Sequence, residues 1–498
     1  MEETFYFHDY ETFGTDPGQD WPAQFAGVRT DADFREIGTP LVEYCRLPGD
    51  RLPDPEACLI TGITPQQVEE KGLRECEFID LIHQQMSQPG TCSLGYNSIR
   101  FDDEVTRHCL YRNFHDPYAR EWMNSCSRWD LIDVTRLCAA LRPDGIVWPR
   151  REDGSHCFRL ERLTQANGIT HDHAHDALSD VRATIAWARL LRKTQPRLFA
   201  FALNHRSKWR ISSMLDTISQ SPAPLIHVSG KYPASRHCLA MIAPLAAHPL
   251  HKNKVIVCDL SADPGPLLSE SSDVLRERLF TPGAQLQEQG LPAVPLKAVH
   301  LNRTPALAPC SALHPADWNR LGISKTLCSQ HYGALFSDRQ TLNDLRAKIA
   351  AIYKVLPESD PDDNRLQDPD QMLYCGGFFS AADKKHIARV AATAPDKLGD
   401  LSLAFGDARL PEMLFRYRAR NWPEWLSQQE TTRWEAFRLE QIKRGAGGHQ
   451  LPLHDWIRKT ETLLQTETRT ECRETLKQLW EYGNSIKSLS QPGATNEA

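Results

Sequence analysis

The stretch Phe5-Tyr6-Phe7-His8-Asp9-Tyr10-Glu11-Thr12 is an aromatic run that ends in two acids one residue apart and breaks at Gly14. Aromatic residues favour a β-strand, in which side chains alternate between the two faces. Asp9 and Glu11 would then project from one face, about 7 Å apart along the strand. That spacing suits carboxylates that share metal ions, whereas a helix would turn the two acids away from each other. A lone Asp-x-Glu is a weak signal, so the interpretation requires further acids later in the chain.

The length and composition indicate a multidomain intracellular protein. The chain has 498 residues, enough for about three domains with substantial cores. No run reaches about 18 consecutive apolar residues, and the first residues carry acids where a secretory signal would carry basic residues. The 14 cysteines are scattered without a Cys-x-x-Cys pair, which favours reduced structural thiols. We therefore expect a cytoplasmic protein that does not span a membrane.

The net charge of −6 argues against a protein that coats nucleic acid nonspecifically. Basic residues nevertheless cluster locally, so a basic groove is compatible with the negative total. The clusters are Arg150, Arg151, Arg159 and Arg162; Arg189, Arg192, Lys193 and Arg197; Arg206, Lys208 and Arg210; and Arg416, Arg418 and Arg420. Each cluster alone is more often a solvated surface than a binding site.

The pattern after the first strand predicts an α/β domain that opens with an antiparallel meander. Short runs at residues 25–29, 41–45 and 92–97 predict further strands. Thr64 is the expected N-cap of a helix in which Pro65 takes the first position. Apolar residues at helical spacing predict helices at residues 78–86, 105–111 and 129–141.

Further acids stand at the end of the predicted strand at residues 92–97, in Asn97-Ser98-Ile99-Arg100-Phe101-Asp102-Asp103-Glu104. A carboxylate at a strand-to-helix junction is either a helix cap or a ligand directed across the sheet. Asp102 and Asp103 could divide these two roles, and the sequence alone leaves the division open.

A histidine-rich segment, residues 171–180, precedes a long predicted helix. Apolar residues at positions 181, 185, 188 and 191 place the start of this helix near residue 176. Asp180 then lies in its first turns and His175 in the preceding loop, and both can point toward the sheet edge. His171 and His173 are expected to be surface loop histidines.

Together the three segments resemble the DEDD superfamily of 3′→5′ exonucleases, in the subclass with a histidine. That pattern has Asp-x-Glu on the first strand, Asn-x-x-x-Phe-Asp at a later strand-to-helix junction, and His-x-x-x-x-Asp near the domain end. Its five positions are occupied here by Asp9, Glu11, Asp102, His175 and Asp180. The resemblance implies an α/β exonuclease domain with a ribonuclease H-like fold.

Longer motifs resemble the bacterial exodeoxyribonuclease I family, from the N-terminus to about residue 485. They lie at residues 7–14, 59–65, 95–97, 100–107 and 416–421. The family architecture implies an exonuclease domain at residues 1–194, an SH3-like β domain at 195–356, a linker at 357–371, a helical C-terminal domain at 372–487 and a disordered tail at 488–498. Local sequence patterns agree with this domain division. They predict β-strands at residues 225–228 and 255–260 and amphipathic helices at 434–442 and 456–464.

The resemblance also implies two-metal phosphodiester hydrolysis. Two Mg²⁺ ions about 4 Å apart would be held by acids, and Mn²⁺ is expected to substitute for them. Asp9, Glu11 and Asp180 are the expected ligands, with Asp102 completing the shell of the second ion directly or through water. His175 would be the general base, because its ordinary pKa lies near the working pH and its loop position allows it to move.

Contacts with DNA and with a protein partner follow from the same resemblance. The expected substrate-binding residues are Glu11, Arg107, Tyr118, Trp122, Arg136 and Arg159, which combine phosphate-binding cations with faces for base stacking. Without the resemblance, a helical arginine would be assigned to the surface and Trp122 to the core. Single-stranded-DNA-binding protein is the expected partner, and the enzyme is expected to be a monomer.

The leading hypothesis is a Mg²⁺-dependent 3′→5′ exonuclease that degrades single-stranded DNA processively to 5′-mononucleotides, in DNA repair and recombination. A 3′→5′ exoribonuclease acting on short RNA and a noncatalytic single-strand-binding scaffold are the alternatives. Acids at all four positions argue against the noncatalytic scaffold. The 3′→5′ direction of degradation and the preference for DNA over RNA rest on the resemblance alone. The basic clusters at residues 206–210 and 416–420 are expected to hold the strand beside the active site, unless they cap helices or pair with nearby acids.

Overall fold

The computed structural model describes residues 3–171, 175–354, 368–446 and 450–489. The chain divides into two compact units. One is formed by Met1–Ser127, His171–Thr184 and Asp360–Ala498, and the other by Arg128–Thr170 and Ile185–Ser359. Among the described helices, none combines the length and the apolar character needed to cross a membrane.

The first sheet has five strands in the order β3-β2-β1-β4-β5. The strands are β1 Thr4–Thr12, β2 Pro22–Thr30, β3 Leu41–Tyr44, β4 Thr91–Gly95 and β5 Ser127–Asp130. β1 is antiparallel to β2, and β2 to β3, which confirms the predicted meander. β4 joins the other side of β1 in parallel, so β1 is a central strand of the sheet.

The second sheet also has five strands, in the order β10-β6-β7-β8-β9. The strands are β6 Leu225–Val228, β7 Leu239–Ala247, β8 Lys254–Asp259, β9 Leu296–His300 and β10 Ala306–Pro309. All neighbouring pairs are antiparallel. The strands predicted at residues 225–228 and 255–260 are confirmed as β6 and β8.

Helices occupy much of the remaining described chain. They are α1 Pro55–Thr61, α2 Pro65–Lys71, α3 Glu75–Met86, α4 Asp102–Arg112, α5 Leu131–Leu141, α6 Leu160–Ala166, α7 Ala177–Thr194, α8 Pro196–Asn204, α9 Lys208–Met214, α10 Gly265–Ser269, α11 Ser272–Phe280, α12 Gly283–Glu288, α13 Pro315–Arg320, α14 Lys325–Leu335, α15 Arg339–Lys354, α16 Ala381–Ala391, α17 Arg409–Asn421, α18 Gln428–Arg444, α19 Leu453–Thr466 and α20 Thr470–Leu489. The predicted helices at residues 434–442 and 456–464 lie within α18 and α19.

Local signals fix several of these helix ends. The Thr64 side chain accepts a hydrogen bond from the Gln67 N–H at 3.4 Å and Pro65 begins α2, as predicted. The predicted helix at residues 129–141 is wrong at its start, because Trp129 and Asp130 belong to β5. Asp130 ends the strand and caps α5, where its side chain accepts from the Ile132 N–H at 2.9 Å.

Packing holds β1 rigidly in the first unit. One face of the strand contributes Tyr6 and Tyr10, which pack with Phe25 of β2 and Phe78 of α3. On the other face, the rings of Phe5 and Phe7 meet the ring of Phe34 edge-on, at centroid distances of 5.1 and 5.4 Å. Since side chains alternate along a strand, Asp9 and Glu11 continue the Phe5 and Phe7 face.

Candidate active site

Asp102 is held directly against β1 by the backbone. It is the first residue of α4 and is 3% exposed. Its Oδ1 accepts a hydrogen bond at 3.0 Å from the N–H of Tyr10, the residue between Asp9 and Glu11. The junction between β4 and α4 therefore brings this carboxylate to the pair of acids on β1.

Asp103 faces a different partner. Its Oδ1 accepts from Nη2 of Arg120 at 2.7 Å, and neither side chain is more than 2% exposed. The pairing raises the pKa of the Arg120 guanidinium despite its burial. The two neighbouring aspartates thus divide their roles, with Asp102 directed to β1 and Asp103 to a structural ion pair.

Asp180 lies in the first turn of α7, which is tied to β2 by a 3.3 Å hydrogen bond from the Ala177 N–H to Gln24 Oε1. Its Oδ2 accepts from the backbone N–H of His175 at 3.1 Å. His175 is exposed and has a positive φ of 70°. The predicted helix start near residue 176 is confirmed, and it places His175 directly beside Asp180.

His171 does not behave as the sequence predicts. Its Nε2 contacts Oδ1 of Asp180, and its side chain is only 5% exposed. The prediction that His171 is an ordinary surface loop histidine is therefore wrong. Nothing in the local pattern distinguishes it, because its partner lies nine positions away in the sequence. His173 lies outside the described residues.

Burial and neighbouring charges raise the pKa of three of these acids. Burial, followed by the charges of Asp102, Glu11 and Asp180, holds the pKa of Asp9 well above its ordinary range. Burial and the charges of Asp180, Asp102 and Asp176 raise the pKa of Glu11 to about 9. Burial likewise raises the pKa of Asp180, against the opposing effect of the two histidines. Four carboxylates are therefore close enough to interact electrostatically. Because buried like charges repel one another, all four can ionise together only if a cation compensates their charge.

The same residues can supply ligands to a divalent metal ion. Glu11, His175 and Asp180 each offer a ligand atom, and these atoms lie within 4.8 Å of one another. Carboxylate oxygens suit hard cations such as Mg²⁺ and Mn²⁺, and an imidazole nitrogen suits Zn²⁺ and related ions. The donor set and its mutual repulsion thus fit a metal centre better than a purely structural cluster.

Arg107, expected to bind DNA, is already engaged by protein groups. Its guanidinium donates to Glu104 at 2.8 Å, to Glu121 at 2.7 Å and to the Tyr374 hydroxyl at 3.0 Å. It also lies over the ring of Tyr118, at 5.3 Å from the centroid. A phosphate would therefore compete with two carboxylates for this side chain.

The other expected DNA contacts differ in exposure. Trp122 is 67% exposed, so its assignment to the core on general grounds is wrong and its ring is open for stacking. Within the second unit, Arg136 donates to Asp133 at 2.6 Å and lies over the Phe158 ring. Arg159 in the same unit is exposed and immediately precedes α6.

The basic cluster on α17 is structural in this molecule. Arg420 pairs with Asp50 at 2.9 Å and with Asp370 at 2.8 Å. Arg416 donates to Asp370 and to two further acids, and Arg418 pairs with Glu430. The side chains of the three arginines are between 5 and 11% exposed. The structure thus bears out the alternative that these arginines pair with nearby acids, and it favours that alternative over the expectation that they hold DNA.

Three family models match successive parts of the chain. They are Exonuclease at residues 6–187, Exonuclease I SH3-like domain at residues 206–355 and Exonuclease I C-terminal domain at residues 367–486. Exodeoxyribonuclease I of Escherichia coli (strain K12) is 45% identical over 491 residues, covering 98% of each chain. These matches span both sheets and the helices of the C-terminal region.

Solved structures give the same match in three dimensions. A moderately thermophilic exonuclease I from Methylocaldum szegediense is 49% identical with a TM-score of 0.90, covering 97% of this chain and 99% of that chain. E. coli exonuclease I in complex with a dA16 oligonucleotide is 45% identical with a TM-score of 0.91, covering 97% of this chain and 100% of that chain.

Two further structures, the first of them from E. coli, describe ligands and partners of exonuclease I relatives. One is the zinc ion bound form of an ExoI–ssDNA complex, at 44% identity and a TM-score of 0.89, covering 98% of this chain and 100% of that chain. The other is SSB/exonuclease I in complex with the inhibitor CFAM, at 44% identity and a TM-score of 0.87 with the same coverage. With matching models along its length and relatives of this identity over nearly all of it, the chain belongs to the exodeoxyribonuclease I family.

Proposed function

We propose that this enzyme is a Mg²⁺-dependent exonuclease that degrades single-stranded DNA from the 3′ end to 5′-mononucleotides. The observation that carries the proposal is the cluster of Asp9, Glu11, Asp102 and Asp180, in which burial and the neighbouring carboxylates raise the pKa of Asp9 and Glu11. The oligonucleotide bound to E. coli exonuclease I supports single-stranded DNA as the substrate, and the zinc-bound relative supports a divalent ion.

In this proposal the four carboxylates would hold two divalent ions. Ions bound there would neutralise charge on the scissile phosphate and increase the acidity of the attacking water. His175 would take the proton from that water, since it is exposed next to Asp180 and an imidazole nitrogen can accept a proton. The hydrogen bond from the Tyr10 N–H holds Asp102 toward the acids of β1.

Substrate and partner contacts complete the proposal. Trp122 and Tyr118 stack on bases, while Arg159, Arg136 and Arg107 contact phosphates. The proposed domain limits are residues 1–194, 195–356 and 372–487. The proposed linker at 357–371 and tail at 488–498 lie mostly outside the described residues. The enzyme acts as a cytoplasmic monomer in DNA repair and recombination, and the relative's complex with SSB supports single-stranded-DNA-binding protein as its partner.

Labelled oligonucleotides test this function. Single-stranded DNA labelled at its 5′ end should shorten progressively in Mg²⁺, whereas a 3′ label should be released at once as a mononucleotide. Duplex DNA and RNA of the same sequence should be degraded much more slowly, and EDTA should stop the reaction. Equal rates on RNA would favour the exoribonuclease, and binding without degradation in Mg²⁺ or Mn²⁺ would favour the noncatalytic scaffold.

A further inference from the structure

His171 makes a specific contact that has no part in the proton transfer assigned to His175. Its Nε2 meets Oδ1 of Asp180, nine positions later in the chain. The side chain of His171 is 5% exposed and that of Asp180 is 17% exposed. A contact this sheltered restricts both side chains, since neither can rotate freely into solvent.

The two oxygens of Asp180 are held by donors from opposite sides. Oδ2 accepts from the His175 backbone N–H at 3.1 Å, and Oδ1 is met by the His171 ring. A neutral imidazole with its proton on Nε2 donates to Oδ1 in this arrangement. Each carboxylate oxygen has two acceptor positions, so one donor on each leaves a second position on each for a cation.

We propose that His171 is a positioning residue, which fixes the Asp180 carboxylate in the orientation that binds a divalent ion. The inference rests on the proposed metal-dependent function. Asp180 stands alone on α7, whereas Asp9 and Glu11 share a rigid strand, so its orientation depends most on neighbouring donors. Hydrogen bonds of this kind to metal-binding carboxylates typically change metal affinity by about 10–100-fold.

Metal binding by variants of the full-length chain tests the proposal. Mn²⁺ affinity is measured by isothermal titration calorimetry for the wild type, His171→Ala, His171→Gln and His171→Asn. The glutamine amide can place an N–H near the position of Nε2, while the asparagine amide is too short to reach Oδ1. His454→Ala is the matched control, because the His454 side chain is 83% exposed.

The expected result is a loss of Mn²⁺ affinity of about 10–100-fold in His171→Ala and His171→Asn, with affinity largely restored in His171→Gln. Turnover of the alanine variant should recover toward the wild-type value as Mn²⁺ is raised. Thermal unfolding shows whether each variant is folded. If the alanine variant is unfolded, the difference in Mn²⁺ affinity between His171→Asn and His171→Gln tests whether His171 positions Asp180.

Two results would overturn the inference while leaving the proposed function intact. Equal Mn²⁺ affinity in the wild type and the folded His171 variants would show that the contact does not position Asp180. Tighter binding in His171→Ala would show that His171 blocks an acceptor position that the ion needs. A wild-type chain that binds no Mn²⁺ and degrades no DNA would instead remove the proposed function, and this inference with it.

Discussion

At Glu11, burial and three neighbouring carboxylates act on one side chain in the same direction. They raise its pKa from 4.5 to about 9. The folded chain therefore holds this proton more tightly than the unfolded chain does. The resulting stability is fully present below pH 4.5 and is lost as the pH rises toward about 9. A bound cation reverses the effect, because it stabilises the ionised carboxylates.

We therefore expect the metal-free protein to lose stability between pH 7 and pH 9. One retained proton corresponds to a fall of about 1.4 kcal/mol in the free energy of unfolding per pH unit. Urea unfolding at several pH values in EDTA measures this slope, and saturating Mg²⁺ should remove most of it. Glu11→Gln should flatten the slope in EDTA; a slope unchanged in that variant would show that Glu11 does not carry the proton.

His175 and His171 both touch Asp180, but we expect them to act differently. His175→Ala should lower turnover by roughly 10²–10⁴-fold, the usual contribution of a positioned general base, with Mn²⁺ binding retained. Single-turnover kinetics and calorimetry on the same preparation measure the two quantities. Because a His175 nitrogen lies within 4.8 Å of ligand atoms of Glu11 and Asp180, loss of Mn²⁺ binding would assign it as a metal ligand instead.

At the scale of single elements, α17 is held by buried ion pairs within its unit. Arg420 is 5% exposed and reaches Asp50 and Asp370, whose side chains are 0 and 3% exposed. The arginines hold the pKa of Asp370 well below its ordinary range. Removing one member of such a network leaves an unmatched buried charge, which is strongly destabilising.

Arg420→Ala should accordingly lower the free energy of unfolding by about 3–5 kcal/mol. Arg444→Ala on α18 is the control, because its side chain is 79% exposed and pairs only with Glu440 among the contacts described for it; it should change stability by less than about 0.5 kcal/mol. Urea unfolding compares the two variants. Similar small effects would mean that the α17 arginines do not contribute to stability.

Elements with a local signal could be predicted from the sequence. The β1 acids, the Thr64 cap and the start of α7 depend on residues a few positions apart, so composition and spacing suffice. The residues after Trp129 have helical spacing, which predicts a helix from this position, but Trp129 lies in β5, where it is 1% exposed. In each of the three correct predictions, the residues that determine the local structure lie close together in the sequence.

Contacts between distant residues could not be predicted in this way. Arg420 and Asp50 are 370 residues apart, and no pattern around either indicates the other. The pairing of Asp103 with Arg120 and the contact of His171 with Asp180 also depend on how loops close. The identity of the site acids is therefore readable from the sequence, whereas the residues that hold them in place are not.

At the scale of the whole molecule, we expect retention of the DNA strand to depend on basic residues other than those of α17, because the α17 arginines are paired with acids. Lys208 and Arg210 on α9 are exposed, and Trp209 between them is 75% exposed. Two cations beside an open indole can contact phosphates and a base of one strand. Such contacts are sensitive to salt, since phosphate binding releases counterions.

Double charge reversal at Lys208 and Arg210 should shorten the length of DNA degraded in one encounter. The measurement adds excess unlabelled DNA after the enzyme has engaged a labelled oligonucleotide. Reversal of Lys443 and Arg444, both exposed on α18, changes the net charge equally and should have little effect. Equal loss of rate on very short and long oligonucleotides in the α9 variant would contradict a separate role in retention.

The neighbours Asp102 and Asp103 allow the most direct test of the metal-centre account, because the same substitution one residue apart should have opposite consequences. Asp102→Asn should remove nearly all turnover and reduce Mn²⁺ binding while the protein stays folded, as should Asp9→Asn, Glu11→Gln and Asp180→Asn. Asp103→Asn should lower stability by leaving Arg120 without its charge partner, yet its folded fraction should keep substantial turnover. Turnover per folded molecule at saturating Mg²⁺, measured for both variants, tests whether Asp102 belongs to the metal-binding acids. Near-wild-type turnover in Asp102→Asn would contradict the proposed metal centre.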